Sequence, residues 1–185
     1  MFKLLINPLL ISVAALLYAV CFLINTHLMA PLEFSIGVNW IFLPAGLRLL
    51  LTLLLGFNGA FGISLASTIL GVCFYFPGDP LTAIGAGIIS GVAPYVAKRL
   101  SFRDLDITTN LANLNGAKLL NCVFIYSLTS PALHQAWFQL RGLNHGNFVE
   151  NLGVMVIGDL IGTAIIIYLA KGLIFLVRKN KAGFN

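Results

Sequence analysis

Six apolar runs, near residues 8–26, 38–56, 58–76, 80–97, 111–129 and 150–177, each have the length of a membrane-spanning helix. Crossing the hydrocarbon of a bilayer takes about 20 mostly apolar residues, with a range of about 17–25. A soluble fold has no place for so many such runs in 185 residues, of which 59% are hydrophobic and 9% charged. A soluble domain devotes about 25% of its residues to charge to cover its wet surface, whereas in lipid the exterior can be as apolar as the core. The expectation is an all-α fold: a polytopic integral membrane helical bundle of about six transmembrane helices, forming one membrane domain over residues 1–185.

The breaks between runs support this division. Gly56-Phe57-Asn58-Gly59 separates the second run from the third as a tight turn, and Pro77-Gly78-Asp79-Pro80 separates the third from the fourth. The N-terminal run follows Met1-Phe2-Lys3 like the apolar part of a signal peptide. No A-x-A pattern precedes Ala30-Pro31, so it is expected to stay as the first span.

Charge gives the orientation. With the N-terminus inside, the cytoplasmic regions hold Lys3, then Lys98, Arg99 and Arg103, then Arg178, Lys179 and Lys181, while the outer loops hold Arg141. The positive-inside rule is therefore met by an even number of spans, with both termini cytoplasmic (N-in/C-in) in a cell inner membrane. Trp40, Tyr75 and Trp137 then fall near the outer interface, where amphipathic rings are favoured.

The same distribution argues against nucleic acid as the partner, because the +5 net charge makes no basic stripe. Cys21, Cys73 and Cys122 lie in apolar segments without pairing or metal spacing and read as small core residues. The stretch Pro131 to Phe148, with His134, Trp137, Arg141 and His145, reads as the longest outer loop, a cap or short interfacial helix on the membrane surface. Two histidines without a carboxylate partner make a poor metal site. No motif of a nucleophile elbow, zinc protease or phosphate-binding loop is present. The expectation is no enzyme, no cofactor and no metal.

The informative charges inside the spans are Arg48, Lys118 and Asp159. Each costs about 2.5–3.5 kcal/mol at a helix centre on insertion scales, so each is expected to face the bundle interior. Arg48 lies eight residues below Trp40 and Asp159 nine below Glu150, which at about 1.5 Å per residue puts both about 12–14 Å deep. An Arg48–Asp159 pair with Lys118 near it, and Asn115 and Asn121 lining the same cavity, is the expected centre. Two readings of it stay open: a pair that only fixes packing, or a site whose surplus positive charge binds a small anion.

Gly85, Gly87 and Gly91 in the fourth run, and Gly153, Gly158 and Gly162 in the last, approach the small-x-x-x-small pattern of touching helices. Pro44 and Pro94 are expected to interrupt or kink their helices.

Two segments carry a resemblance. Asn39-Trp40-Ile41-Phe42-Leu43-Pro44-Ala45-Gly46-Leu47, continuing to Leu54-Leu55-Gly56-Phe57-Asn58-Gly59-Ala60, resembles the early W-x-P-x-G and LL-x-G signature of bacterial membrane-associated sensor domains of the MASE type. Gly158-Asp159-Leu160-Ile161-Gly162-Thr163 looks like the G-D-x-x-G element of that family's last helices. The resemblance rests on Trp40, Pro44, Gly46, Gly158, Asp159 and Gly162. Arg48 departs from the apolar residue usual there, and the chain has about two helices fewer than the family domain.

It implies a standalone membrane sensor or accessory subunit that responds to a small ligand and signals through a separate cytoplasmic output protein. The alternative is a solute-binding subunit of a transporter, similar to the capture components of energy-coupling factor importers, with Ala14, Ala15 and Ala19 meeting a transport motor. A structural assembly protein without a ligand is the third reading.

Overall fold

The computed structural model describes residues 6–104, 111, 113–143 and 147–182. Six α-helices account for most of them: α1 Pro8–Leu28, α2 Leu43–Leu55, α3 Phe57–Leu70, α4 Pro80–Asp104, α5 Gly116–Leu140 and α6 Phe148–Ala182. A two-stranded antiparallel hairpin, β1 Glu33–Ser35 and β2 Val38–Asn39, lies between α1 and α2, and a π-helical turn, Gly71–Tyr75, prolongs α3. Four of the helices are long and apolar enough to cross a membrane: Pro8–Leu28, Phe57–Tyr75, Pro80–Arg103 and Phe148–Val177.

Capping explains where the helices start. Asn7 accepts from the N–H groups of Leu9 and Leu10, with Pro8 supplying a preset φ at the first position. Its own N–H donates to Asn58 Oδ1 at 2.9 Å, joining the start of α1 to that of α3. Asn115 caps α5 by accepting from Lys118 N at 2.9 Å, and Asp79 caps α4 through Thr82 N at 3.1 Å and Thr82 Oγ1 at 2.5 Å. At the α2–α3 turn, Gly56 adopts φ +59°, a conformation that suits glycine. Lys98 Nζ reaches across from α4 to the carbonyls of Thr52 and Leu53 at 3.1 and 2.9 Å, supplying donors and positive charge to the carbonyl end of α2.

Two expected spans differ. Residues 38–56 are not one helix: a short strand, Val38–Asn39, is followed by a bend at Trp40–Ile41, and only Leu43–Leu55 is helical. At 1.5 Å per residue that helix is about 20 Å long, short of the roughly 30 Å hydrocarbon thickness. Pro44 sits in its first turn, where its missing N–H removes no helical bond, so it starts α2 and does not interrupt it. Non-helical backbone is tolerated at such depth only when protein covers it. Val38, Asn39, Phe42 and most of α2 up to Leu49 are accordingly buried, and Leu43 N–H donates to the buried Asn25 Oδ1 at 2.9 Å.

The fifth run, expected at 111–129, is α5 from Gly116 to Leu140. Residues 131–140, expected in an outer loop, are its last turns. His134 is buried there, and Trp137 donates from Nε1 to Thr82 O at 3.1 Å. His145 lies outside the described residues. Pro94 stands within α4, which continues past it.

Neighbouring helices pack in the order α1, α3, α4, α5, α6, with α2 in the middle against α1, α3, α4 and α6. One end of the bundle gathers the hairpin, the 76–79 turn and the start of α6. Ser35 Oγ donates to Asn151 Oδ1 at 2.9 Å, and Arg141 Nη2 stands 3.2 Å from Asp79 Oδ1. The opposite end gathers Asn7, Asn58, Gly56 and Lys98. The surface is apolar, with Leu9, Leu16, Leu28, Leu54, Tyr168 and Phe175 all exposed, while Asn25, Arg48, Thr52, Ser90, His134 and Asp159 are buried. That distribution is inverted relative to a water-soluble protein.

Candidate functional site

The α2–α6 crossing brings the two charges together. A Cβ on Gly158 would collide with Asn39 O, and one on Gly162 with Phe42 O; one on Gly46 would come 2.7 Å from both Ile166 Cβ and Thr163 Cα. Only glycine permits these backbones to touch. Phe42 N–H also donates to Gly158 O at 3.2 Å. Asp159 lies between the two α6 glycines and Arg48 one position beyond Leu47, so the crossing fixes both inside the bundle, where they are 1% and 5% exposed. The segments Asn39–Leu47 and Gly158–Thr163 thus form a single contact.

Arg48 and Asp159 attract one another electrostatically but do not touch as an ion pair. Arg48 instead donates from Nη2 to Tyr18 Oη at 2.6 Å. Its guanidinium lies 5.3 Å from the Tyr18 ring centroid and 5.1 Å from that of Phe42. Each cation–π contact contributes about 2 kcal/mol or more when desolvated. On the far side, the Tyr126 and Ser130 hydroxyls surround Asp159. Arg48 Nε, Tyr126 Oη, Ser130 Oγ and Asp159 Oδ2 are buried with no protein hydrogen-bond partner of good geometry among the described residues. Leaving a buried polar group in that condition costs about 1–3 kcal/mol, more for a charged one.

From Tyr18 the polar chain continues. Its hydroxyl lies 3.5 Å from Ser67 Oγ, which donates to Ser90 Oγ at 2.9 Å. Ser90 Oγ lies 3.4 Å from His134 Nε2, and His134 Nδ1 is 2.9 Å from Ser130 O, so the path returns to Ser130 beside Asp159. The hydrogen-bonded path uses side chains from five helices, Tyr18 of α1, Arg48 of α2, Ser67 of α3, Ser90 of α4 and His134 of α5, and Asp159 of α6 lies beside its end.

A cavity opens against this circuit, with about 40 Å³ open to the centres of water-sized groups. Tyr18, Arg48, Ser67, Ser90 and His134 line its polar side, and Phe22, Phe42, Phe76, Phe138 and Met155 its apolar side. Among the described residues no carboxylate lines it, and Arg48 is its charged lining group. A water needs about 10–15 Å³ by this measure, so the space suits about three water-sized groups.

The other expected members lie elsewhere. Lys118 is in the first turn of α5, eight residues before Tyr126 and thus about 12 Å from it along the helix. Asn115 caps that helix, and Asn121 is exposed. The expected surplus of two cations over one carboxylate is therefore absent from this centre. Among the glycines, Gly87 and Gly91 pack on Thr68 and on Ala60 and Ser64, Gly85 accommodates the Trp137 ring, and Gly153 faces open space. Ala14 is buried against α3, where a Cβ on Gly62 would come 3.0 Å from Ala14 Cβ, and Ala15 and Ala19 pack on the same cluster. Trp40 is exposed beside Phe34, with ring centroids 6.0 Å apart.

Sequence reasoning missed Tyr18, Ser67, Ser90, Tyr126, Ser130 and His134. Their common signal is a polar atom inside an apolar run at the depth of Arg48, which the uncharged residues carry more faintly. No protein-family model, curated protein or solved structure matches this chain.

Proposed function

We propose that this protein is a multi-pass protein of the cytoplasmic membrane, with six crossings and both termini inside, that binds a small anion at Arg48 and passes the resulting change of state to a partner. The observation that carries the reading is a cavity lined from all six helices, with a polar chain running from Arg48 through Tyr18, Ser67 and Ser90 to His134, and with Arg48 as the charged group among its described lining residues. A ligand there contacts or neighbours every element of the bundle, so its binding energy can bias the arrangement of the whole. The second crossing combines a non-helical segment with a short helix whose N-terminus begins inside the bundle, and such broken helices present the positive end of their dipole to anionic groups. Sidedness follows from charge: the α2–α3 turn end carries Lys98, Arg99, Arg103, Lys118 and Lys179, the hairpin end Glu33, Asp79, Glu150 and Arg141. The resemblance to MASE-type sensors favours a separate cytoplasmic output protein as the partner.

A solute-binding transport subunit is the second reading, favoured by the cavity's position toward the hairpin end, as a capture site on the outer side would be. The small residues of α1 lend it no support, since packing on α3 takes them up.

Two measurements test the proposal. In a background without native cysteines, Pro77→Cys should label from outside intact cells and Asn113→Cys only after permeabilisation; external labelling of position 113 refutes the topology. In detergent, formate, chloride and other small anions should raise the melting temperature, since a ligand at a hundredfold excess over Kd adds about 2.7 kcal/mol. Arg48→Gln should remove the response and Lys118→Gln should keep it. Equal loss in both variants refutes the Arg48 site. Uptake of the binding anion into vesicles by the purified protein with a motor would favour transport over sensing.

A further inference from the structure

The Arg48 cavity has a second chamber. A smaller space, about 20 Å³ by the same measure, lies at the hairpin end against Ser35, Ile36 and Leu143, and shares Phe76 and Phe138 with the Arg48 cavity. The two rings meet with centroids 5.7 Å apart and tilted by 53°. Both rings line both chambers, and the hairpin turn at Gly37 packs beside Phe138: a Cβ built on Gly37 would lie 3.7 Å from the Phe138 ring.

Three features select the ligand. A single guanidinium is the charged group among the described lining residues, its Nε without a protein hydrogen-bond partner among them and its Nη2 engaged on Tyr18; Asp159 behind it already offsets part of its charge, so a singly charged head that accepts hydrogen bonds is favoured over a multiply charged ion. A planar carboxylate matches the guanidinium fork. The walls beyond Arg48 are Phe22, Phe76, Phe138 and Met155, which give nothing back to the hydration shell of an inorganic ion and favour an alkyl body. The size of the two chambers limits that body to a few carbons.

We infer that the cavity binds a short-chain monocarboxylate, its head on Arg48 and its alkyl tail against Phe76 and Phe138 at the hairpin end. The inference rests on the Arg48 anion site proposed above and names what that site takes. The Phe76–Phe138 pair acts as the gauge of chain length: a tail that fills the inner chamber meets the two rings next.

The test uses the full chain in detergent and a homologous series, formate, acetate, propionate, butyrate and hexanoate, with propionamide and chloride as controls, read as thermal shift and as affinity by calorimetry. Affinity should rise about fourfold for each methylene buried, until the chamber is filled, and then fall. Propionamide should give no shift. If formate and chloride bind as well as butyrate, the alkyl-recognition inference is overturned while the anion site stands. If no carboxylate shifts the protein, or propionamide shifts it as much as propionate, both fail. Arg48→Gln should abolish the series. Because that variant risks misfolding, Phe138→Leu provides an independent arm: it enlarges the space and should move the optimum to a longer chain, and an unchanged optimum overturns the inference.

Discussion

Replacing Gly162 by alanine tests the α2–α6 crossing directly. The added methyl would meet Phe42 O and C and Leu43 N, all backbone atoms that cannot rotate away. Overpacking of this kind costs about 1–3 kcal/mol, occasionally more, and a backbone obstacle belongs at the upper end. Alanine also recovers about 0.8–1 kcal/mol of helix propensity over glycine, leaving a net loss of about 2 kcal/mol. For a chain of this size 1 kcal/mol shifts the melting temperature by about 2–4 °C, so Gly162→Ala should melt about 4–8 °C lower in detergent. Gly172→Ala is the internal control. It makes the same substitution in the same helix where no atom lies within 4 Å, so it should leave the melting temperature unchanged or slightly raised. Gly46→Ala probes the other side of the crossing and should fall with Gly162→Ala. The reasoning is refuted if Gly162→Ala melts with the parent, or if Gly172→Ala is destabilised as much as Gly162→Ala.

The buried charges should respond asymmetrically, because a carboxyl can shed its charge by taking up a proton and a guanidinium cannot. Asp159→Leu should therefore cost about 3–5 kcal/mol and Arg48→Leu less, with the double variant more stable than Asp159→Leu alone; equal stability of both single variants and the parent in detergent melts would show that the two charges are not coupled. At the hairpin end, the Thr82 hydroxyl and N–H, and then Arg141, hold the Asp79 carboxyl below the usual carboxylate range. That contribution is fully present above the unfolded value of about 3.9 and is lost as pH falls through the lower folded value, so melting curves between pH 3 and 7 should drop more steeply below pH 4 for the parent than for Asp79→Asn. Parallel acid limbs would rule it out.

Much of the helical framework was legible because length and apolarity are enough to set it. The runs that became α1, α3, α4 and α6, and the Gly56–Gly59 and Pro77–Pro80 turns, needed no knowledge of tertiary contacts. The second run misled because an apolar stretch buried on all sides reads alike as strand or helix. Gly37 and Asn39 before it, and Pro44 at a helix start, were the local signals that Val38–Phe42 is not helical. The fifth run misled in the opposite sense. Its second half carries Ser127, Ser130, His134 and Gln135, which lower its apolarity as if it were a loop, yet all four are buried. The five-residue error at the start of α5 also placed Lys118 at mid-depth, where reading Asn115 as a cap would have put it in the first turn.

Arg48 and Asp159 are both buried and electrostatically coupled, without the expected ion pair, for a reason the depth count did not contain. It assumed that the second run descends as a helix from Trp40, whereas the segment is non-helical, strand then bend, up to Phe42 and only then turns helical. What sets the level is the crossing: Gly158 and Gly162 admit the Asn39 and Phe42 carbonyls, and those contacts fix the height at which α2 begins. Arg48 follows within two turns of that start, and Asp159 is carried by the glycines themselves. Packing and site are therefore one feature of the chain. A change at Gly162 that lifts Phe42 must also move the Phe42 ring from beneath the guanidinium and reshape the cavity it lines. If so, Gly162→Ala should lose carboxylate-induced stabilisation even at temperatures where it remains folded. Full retention of that response would mean that the crossing sets stability without holding the site.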